Sequence, residues 1–397
     1  MAGAAGGAPL STSSLARALR VRGIDSSAYC LDVGIPSERA ALAASMAGHV
    51  EFGPLFLWHR KLRSAPWKRP GLLALQLWRT GFLARSIGRV VEFARNERVD
   101  IVHSNTLMTL EGGFAARRLG VPHVWHVREL VGPGAPFRFP VEGPALSRLM
   151  PHLADVVIAN SRATYDALEG WVPANRLRLV WNGIDLAPFE SVLPPRRTSK
   201  VVVAMVGSTN SHWKKHALFI AACARVSIAE EVEFRVYGHH HPDVDPYARD
   251  LVALARRVPG GIRFEGFVSN PVEIMSQIDV LVHPASDESF GRVVVEAMAA
   301  GRPVVGVSGG GVDAIFREVR QPVGDLVPPD DPDALASAIS RLVRDRPRAT
   351  ALGDNGRAEA RRAFSIDSHA EAIVAVYEEA REAHSRRRRS RMTGLHE

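Results

Sequence analysis

The chain contains little cysteine. Only two of its 397 residues are cysteine, Cys30 and Cys223, and they lie far apart in the sequence. Two isolated thiols supply neither a disulfide framework nor a zinc-binding set, and they are typical of a protein kept in a reducing compartment. The cysteine content therefore predicts a cytoplasmic protein whose folding relies on hydrophobic cores.

Long apolar runs are also missing. No run reaches the roughly 18 apolar residues that a bilayer-spanning helix requires, and residues 1–9 are small and uncharged, unlike a signal peptide. A hydrophobic content of 46% is nevertheless typical of a globular protein. A length of 397 residues suits two domains of ordinary size.

Acidic residues are absent between residues 52 and 91. Basic residues and tryptophans alternate there: Arg60, Lys61, Arg63, Lys68, Arg69, Arg79, Arg85 and Arg89 with Trp58, Trp67 and Trp78. With a second basic run at residues 386–389, they contribute to the net charge of +8. Such a segment suits an anionic membrane surface, and we expect peripheral binding to the inner face of the membrane. The alternative is a solvated basic face, and no nucleic-acid-binding module is recognisable.

Short apolar runs alternate with helix-compatible segments along the chain. Strands are predicted at 26–33, 100–103, 123–127, 155–159, 177–181, 201–206, 233–237, 262–265, 279–283 and 303–307. This alternation predicts an α/β protein with doubly wound parallel sheets. We expect four parts: an amino-terminal domain over 1–190, a carboxy-terminal domain over 191–364, a helix over 365–385 and a disordered basic tail over 386–397.

The segment 283–305 is predicted to form a strand–loop–helix–strand unit with an anion site at the start of the helix. A buried strand is followed by a polar loop, then by a helix that Gly301 ends, then by another strand. Backbone N–H groups at a helix amino terminus suit a phosphate. Here that terminus lies at Ser289, Phe290 and Gly291, and Gly291 allows an anion to approach the backbone closely.

Two carboxylates flank this predicted anion site. Glu288 comes just before the helix and Glu296 lies roughly two turns into it, about 8–12 Å along the axis. Carboxylates repel an anion, so they suit hydroxyl groups on either side of it. A sugar next to one carboxylate and a ribose next to the other would fit this spacing.

The same residues resemble a known family. The pattern E-S-F-G-x-x-x-x-E-A-M-A-x-G-x-P-V-V, which contains Glu288 and Glu296, is similar to the signature of family 4 of the retaining nucleotide-sugar glycosyltransferases. The resemblance implies the GT-B fold, in which two Rossmann-like domains face a cleft and the last helix crosses back to the amino-terminal domain. It also implies that Glu288 acts in catalysis by contacting the donor sugar and that Glu296 contacts the nucleotide ribose.

The resemblance extends to a second loop. After strand 201–206 the family usually has Gly-Arg and then Lys-Gly, whose two cations hold the donor diphosphate. This chain has Gly207, but Ser208 stands where arginine is expected. Lys214 then supplies the lysine, with Lys215 at the usual glycine position.

The amino-terminal half resembles the family less closely. Gly7 belongs to a Gly-Gly-Ala segment that resembles the loop after the family's first strand, which faces donor or acceptor. The strand itself is missing, so either the true start lies upstream or this domain has one strand fewer. His126, near the end of strand 123–127, occupies a place where the family often has a catalytic histidine near the donor sugar. A satisfied core histidine is the alternative.

Metal binding is not expected. His239, His240 and His241 are adjacent in one loop and cannot all face one ion easily, and Asp243 and Asp245 match a metal-binding pattern of a different fold. The helix terminus and the lysine neutralise the diphosphate, so the donor is a substrate and no cofactor is required. The glycine-rich segment 308–313 is predicted to be a flexible loop beside the donor.

These observations predict retaining transfer of a sugar from a nucleotide-diphosphate donor to an acceptor hydroxyl. The acceptor would be a glycan, a lipid-linked molecule or a small molecule, in the biosynthesis of a cell-surface glycan or glycolipid. Two alternatives stay open: a nucleotide-sugar epimerase of the same architecture, and a non-catalytic protein that binds a membrane surface.

Overall fold

The structure, a computed structural model, describes residues 7–32, 34, 36–57, 60–61, 72–132, 135, 137–138, 144–193, 200–228 and 231–393. The chain divides into two units. Unit 1 consists of Met1–Gly183 together with Ile366–Glu397, and unit 2 is Ile184–Ser365. None of the helices in the described part of the chain combines the length and the apolar character needed to cross a membrane.

Unit 1 carries its parallel strands in two separate sheets. Its strands are Ala28–Leu31 (β1), Val50–Gly53 (β2), Arg60–Lys61 (β3), Val102–Ser104 (β4), His123–Val127 (β5), Phe137–Arg138 (β6), Val156–Ala159 (β7) and Leu177–Leu179 (β8). β1 pairs with β2, and β4, β5, β7 and β8 form a four-stranded sheet in that order, while β3 and β6 form a short antiparallel pair. The predicted absence of a first strand stays a prediction, since residues 1–6 lie outside the described residues.

The helices of unit 1 cover these sheets. They are Gly7–Val21 (α1), Pro36–Ser45 (α2), Leu72–Asn96 (α3), Glu111–Leu119 (α4), Pro144–Leu153 (α5) and Arg162–Leu168 (α6). α1 begins at Gly7, so this residue opens a helix instead of lying in a loop. Ser161 caps α6, because its side chain accepts the backbone N–H of Thr164. Residues 58–59 and 62–71 of the predicted membrane-binding segment lie outside the described residues.

Unit 2 contains a six-stranded parallel sheet. Its strands are Val201–Val206 (β9), Val232–Tyr237 (β10), Ile262–Gly266 (β11), Val280–His283 (β12), Val304–Val307 (β13) and Gly324–Val327 (β14). The spatial order is β11-β10-β9-β12-β13-β14, so the direction of winding reverses between β9 and β12. Ligands of such sheets bind at this switch point, outside the carboxyl ends of the strands.

Helices on both faces complete unit 2. They are His216–Cys223 (α7), Pro246–Ala255 (α8), Pro271–Gln277 (α9), Arg292–Ala299 (α10), Gly310–Glu318 (α11), Pro332–Arg344 (α12) and Arg346–Ala363 (α13). Asp245, Asn270 and Asp331 cap three of them, each followed by proline at the first helical position. The strands are rich in valine, and their side chains form a buried core with the helices.

The last helix, Ile366–Thr393 (α14), belongs to unit 1. One face of α14 packs against α1, β5 and β7 through Ala370, Ile373, Val376 and Ala380. The predicted return of the final helix to the amino-terminal domain is therefore confirmed. The helix continues to Thr393, through the stretch from residue 386 where a disordered tail was expected.

Candidate functional site

The strand–loop–helix unit at β12 and α10 forms as the sequence predicts. β12 ends at His283, and α10 begins at Arg292 with Gly291 in the preceding position. Gly291 has φ +93°, a left-handed conformation that L side chains rarely adopt. The side chain of Phe290 is buried against Phe364, with ring centroids 6.1 Å apart, so only its backbone faces the helix start.

A second helix start packs against the same loop. α11 begins at Gly310, and the backbone N–H of Gly311 donates to the carbonyl oxygen of Glu288 at 2.6 Å. A Cβ on Gly311 would lie 2.4 Å from the backbone of Phe290. The segment 308–313 therefore packs tightly against the loop, contrary to the predicted flexible loop. Glycine is required here because two backbone segments come into contact.

The loop after β9 brings a lysine to the switch point. Gly207 follows β9, and a Cβ on it would contact the aliphatic part of Lys214 at 3.3 Å. Lys215 has φ +58°, the left-handed conformation that glycine favours. This geometry agrees with the predicted placement of Lys215 at the family's usual glycine position. Its ammonium group pairs with Asp330 at 3.1 Å.

Lys214 and Glu288 meet directly. The Lys214 Nζ donates to Oε2 of Glu288, and the two side chains are only 21% and 19% exposed. Burial is the largest effect and acts to raise the pKa of Glu288, but the charge of Lys214, the contribution of His283 and the hydrogen bond from Lys214 together hold that pKa below its ordinary value. Glu288 is therefore an ionised carboxylate at neutral pH, located at the carboxyl edge of the sheet.

Glu296 lies deeper in the same helix. Its Oε1 accepts a hydrogen bond from Nε of Arg292 at 2.7 Å, one helical turn away. Burial raises the pKa of Glu296, and Arg292 opposes that effect only in part. Ser208, which replaces the expected arginine, accepts the backbone N–H of His239 at 3.2 Å. Its hydroxyl thus stabilises the loop where the family has a second cation.

His283 is a residue of this cluster for which the sequence indicated no role. The ring is 2% exposed, and its Nε2 lies 3.7 Å from Oε2 of Glu288. Burial, followed by the charge of Lys214, lowers the pKa of His283 to about 4, so the ring is neutral. Its position as the last residue of a buried strand, directly before Pro284, is the signal that could have identified it.

His126 lies inside unit 1. It shares a face of β5 with Val124, whose side chain packs in the cluster with α14, and the His126 ring is fully buried. The rings of His103 and His369 lie 5.5 Å and 5.9 Å away. Burial, followed by the charge of Arg128, holds the pKa of His126 well below its ordinary value. The catalytic role of His126 stays a prediction, and this burial is what the core alternative expects.

Arg128 bridges strand ends at the carboxyl edge of the four-stranded sheet in unit 1. Its Nε donates to Asn105 after β4, and its NH1 donates to Asn182 after β8, each at 2.6 Å. The carboxylate of Glu129 accepts from Thr106 and from the backbone N–H of Leu107, so it stabilises the adjoining loop. Polar groups from several strands therefore meet at the edge where a ligand of unit 1 would bind.

The histidine-rich loop of unit 2 is engaged in packing. His239 stacks on Phe267 with ring centroids 4.3 Å apart, and His240 stacks on Phe264 at 4.2 Å. Asp245 caps α8 by accepting the backbone N–H of Tyr247. The two rings are therefore stacked on aromatic side chains, and the carboxylate of Asp245 caps a helix.

Two family profiles match the chain, one in its amino-terminal part and one in its carboxy-terminal part. The profile described as Glycosyltransferase Family 4 matches residues 5–188, and the profile described as Glycosyl transferases group 1 matches residues 200–345. The first covers most of unit 1 and the second most of unit 2.

Individual relatives support the same assignment. The chain is 31% identical over 314 residues to the alpha-maltose-1-phosphate synthase of Mycolicibacterium smegmatis, covering 71% of this chain and 79% of that protein. It is 35% identical over 117 residues to the lipopolysaccharide core mannosyltransferase LpsB of Rhizobium meliloti, covering 30% of this chain and 33% of LpsB.

A solved structure has the same fold. HepE of Anabaena, in complex with UDP and glucose, superposes with a TM-score of 0.73 at 22% identity, covering 95% of this chain and 97% of HepE. With the strand order of unit 2 and the return of α14 to unit 1, these comparisons establish the GT-B fold. The chain belongs to the group 1 glycosyltransferases of family 4.

Proposed function

We propose that the protein transfers a hexose from a nucleoside diphosphate sugar to an acceptor hydroxyl with retention of anomeric configuration. The observation that carries the proposal is the meeting of Lys214 and Glu288 at the start of α10, where β9 and β12 adjoin. A cation, a helix amino terminus and two carboxylates at one sheet edge suit a diphosphate with a sugar on either side.

Each group has a role in the proposed reaction. Lys214 and the first turn of α10 hold the diphosphate, Glu288 holds the transferred sugar, and Glu296 holds the ribose. The acceptor hydroxyl attacks on the face that the diphosphate leaves, and its proton passes to a leaving phosphate oxygen. The protein then contributes orientation and charge stabilisation rather than a covalent nucleophile.

The relatives suggest which donors to test first. HepE was solved with UDP and glucose and with UDP-glucose, and LpsB is described as a mannosyltransferase. We propose UDP-glucose or GDP-mannose as donor. The acceptor belongs to glycan or glycolipid biosynthesis and binds at the carboxyl edge of unit 1, around Arg128. Because the compared proteins are glycosyltransferases and synthases, an epimerase and a non-catalytic protein are not favoured.

Acceptor-dependent release of the nucleotide tests the proposal. Glu288→Gln should lower kcat by about 100- to 1,000-fold, because it removes charge stabilisation at the reacting sugar. Glu296→Gln should mainly raise the KM for the donor, and substitution of the exposed Glu273 by Gln is the matched control. NMR of the product should show the anomeric configuration of the donor. Wild-type rates in Glu288→Gln, or isomerised donor without acceptor, would refute the proposal.

We propose that the reaction needs no metal. Lys214 and the start of α10 supply the positive charge that a divalent cation supplies to diphosphates elsewhere. Dialysis against EDTA should leave kcat unchanged, and added Mg²⁺ or Mn²⁺ should not raise it. Loss of activity that Mn²⁺ restores would contradict this part of the proposal.

We propose peripheral binding to anionic membranes as a separate property. The last turns of α14 expose Arg386, Arg388 and Arg389, which supports attraction to anionic lipid. The protein should sediment with vesicles that contain phosphatidylglycerol, should not sediment with phosphatidylcholine alone, and should be released by salt. Equal sedimentation with both vesicles would exclude the electrostatic attraction.

A further inference from the structure

His283 has a buried ring whose polar atoms are not satisfied. It is the last residue of β12 and lies in register with Gly306 of β13. Neither ring nitrogen has a hydrogen-bond partner among the described residues, although the backbones of His283 and Ala285 lie close enough to favour the protonated form slightly. A buried N–H without an acceptor is destabilising, so its retention calls for an explanation.

The ring faces one oxygen of Glu288. Oε2 of Glu288 accepts from Lys214, and the same Oε2 lies 3.7 Å from Nε2 of His283. This separation is about 0.8 Å longer than an ordinary N–H···O hydrogen bond. Oε2 of Glu288 therefore accepts a hydrogen bond from Lys214, while Nε2 of His283 lies just beyond hydrogen-bond distance of the same oxygen.

A diphosphate changes this arrangement. If the function proposed above is correct, Lys214 binds the phosphate oxygens of the donor and its contact with Glu288 weakens. The Glu288 carboxylate, buried and ionised, would then lose its cation at the moment when it must hold the sugar. A buried carboxylate in that state needs another donor.

We propose that His283 is a positioning residue that replaces Lys214 as the hydrogen-bond donor to Glu288 when the nucleotide sugar binds. A small rotation of either side chain brings the Nε2–H of His283 into a hydrogen bond with Oε2. The carboxylate is then held from one side while its other oxygen receives a hydroxyl of the sugar. No bond forms or breaks, and the ring acts in its neutral form.

The charges around the ring fit this role. Burial and then the charge of Lys214 lower the pKa of His283 to about 4 in the free protein, and the charge of Glu288 opposes them only in part. A bound diphosphate adds negative charge next to the ring and offsets Lys214. The pKa of His283 therefore rises on donor binding, and the proposed hydrogen bond uses the neutral tautomer that carries its proton on Nε2.

Three substitutions separate this role from a structural one. His283→Leu removes the N–H group that would donate to Glu288. His283→Gln places an amide N–H near the position of Nε2, and His283→Asn places an amide N–H nearer the backbone. His283→Leu should lower kcat by about ten- to a hundredfold, the effect of one hydrogen bond to a charged group, with little change in the KM for the donor. His283→Gln should recover most of that loss and His283→Asn should not. Equal kcat in wild type and His283→Leu would overturn the proposal.

A spectroscopic test on the wild-type protein does not depend on the folding of variants. With ¹⁵N-labelled histidine, saturation with UDP should shift the Nε2–H signal of His283 downfield and raise its titration midpoint. His49, a half-exposed histidine paired with Glu97 in unit 1, is the control that should not move. Unchanged His283 signals at saturation would overturn the inference.

The two proposals fail in different ways. Lack of transfer by the wild-type protein with every donor, together with no binding of UDP, GDP or ADP, would refute the proposed function and this inference with it. Normal transfer with unchanged His283 signals would refute only the inference.

Discussion

Lys214 and Lys215 are adjacent in the sequence, but their ammonium groups bind different carboxylates in different surroundings. Lys214 lies against Gly207 and binds the half-buried Glu288, whereas Lys215 pairs with Asp330, whose side chain is 71% exposed. Exposed ion pairs contribute little to stability or binding, while a charge in a shielded site contributes more. We therefore expect binding of the diphosphate at the switch point to depend on Lys214.

This difference can be measured by substitution. Lys214→Met should weaken binding of UDP by about 10- to 100-fold, since a charged hydrogen bond contributes about 1.5–3 kcal/mol. Lys215→Met should change the affinity by less than about threefold, because its partner is solvated. Isothermal titration calorimetry gives both values. Equal losses in the two variants would show that the ammonium groups share the anion.

The residue type of His126 and its position on the strand support different roles. Histidine near a strand end suggests a ligand, but alternation along the strand places His126 on the same face as Val124, towards α14. That face was readable from the sequence once the strand was located. The 3.7 Å distance between His283 Nε2 and Glu288 Oε2 could not be predicted from the sequence, because it depends on how the end of β12 packs against the loop that follows it.

At the scale of the element, α10 is the best-predicted helix, whereas α13 was not predicted. α10 has a glycine before it, apolar spacing within it and glycine after it, so its bounds follow from local signals. α13 packs on α10 through Gly353 and Gly356, where a Cβ would meet backbone atoms of Gly301 and Met298. Where glycines provide the close packing, few large apolar residues mark the buried face of a helix, and α13 was therefore not predicted.

The start of α10 should not tolerate a side chain at Gly291. Gly291→Ala places a Cβ at φ +93° and 3.0 Å from Val312, and it should lower the free energy of unfolding by about 1–3 kcal/mol. Gly88→Ala is the control, because Gly88 lies within α3 with no atom near the added Cβ, and it should stabilise by about 0.5–1 kcal/mol. Denaturant titration measures both. A neutral Gly291→Ala would contradict the assigned geometry.

The end of α14 is tethered by one buried carboxylate. Asp155 contacts Arg387 at 2.9 Å and His384 at 3.3 Å, and it also accepts the backbone N–H of His123. Asp155→Asn should destabilise unit 1 by about 1–3 kcal/mol and speed hydrogen exchange in residues 380–393. Glu382→Gln removes only an exposed pair with Arg386 and should change neither. Unchanged hydrogen exchange in Asp155→Asn would show that Asp155 does not hold the end of α14 in place.

At the scale of the whole molecule, the sequence predicts the fold class and most strand positions better than it predicts which strands share a sheet. Short apolar runs are enough to predict β9, β12 and β13, which are largely buried, whereas the edge strand β14 is mostly half-buried and was not predicted. Unit 1 instead has two parallel sheets, and β2 (Val50–Gly53) escaped prediction because only part of it is buried. Pairing between distant strands is a tertiary property that local patterns do not encode.

Buried neutral histidines make the protein sensitive to acid. Burial lowers the pKa of seven described histidines: the partly buried His240 and six more deeply buried ones, which are His103, His123, His126, His216, His283 and His369. Their unfolded pKa is about 6.5, so below that pH the unfolded chain binds protons that the folded chain does not. Stability is therefore full above about pH 6.5 and falls as the pH drops towards 4. The raised pKa values of Glu129 and Glu296 act in the opposite direction.

The expected size of this effect is large. Each histidine contributes a slope of up to about 1.4 kcal/mol per pH unit in this range. Denaturation midpoints measured at pH 7.5, 6.0 and 5.0 should fall steeply, and unit 1, with four of the six deeply buried histidines, should lose structure first. A flat profile between pH 7.5 and 5.0 would show that these rings are not buried in neutral form.

A crystal structure with a bound nucleotide sugar tests the central claim most directly. We expect the diphosphate oxygens within about 3.2 Å of Lys214 Nζ and of backbone N–H groups at the start of α10, with Glu288 on the hexose and Glu296 on the ribose. A diphosphate bound elsewhere, with neither carboxylate touching a hydroxyl, would contradict the account.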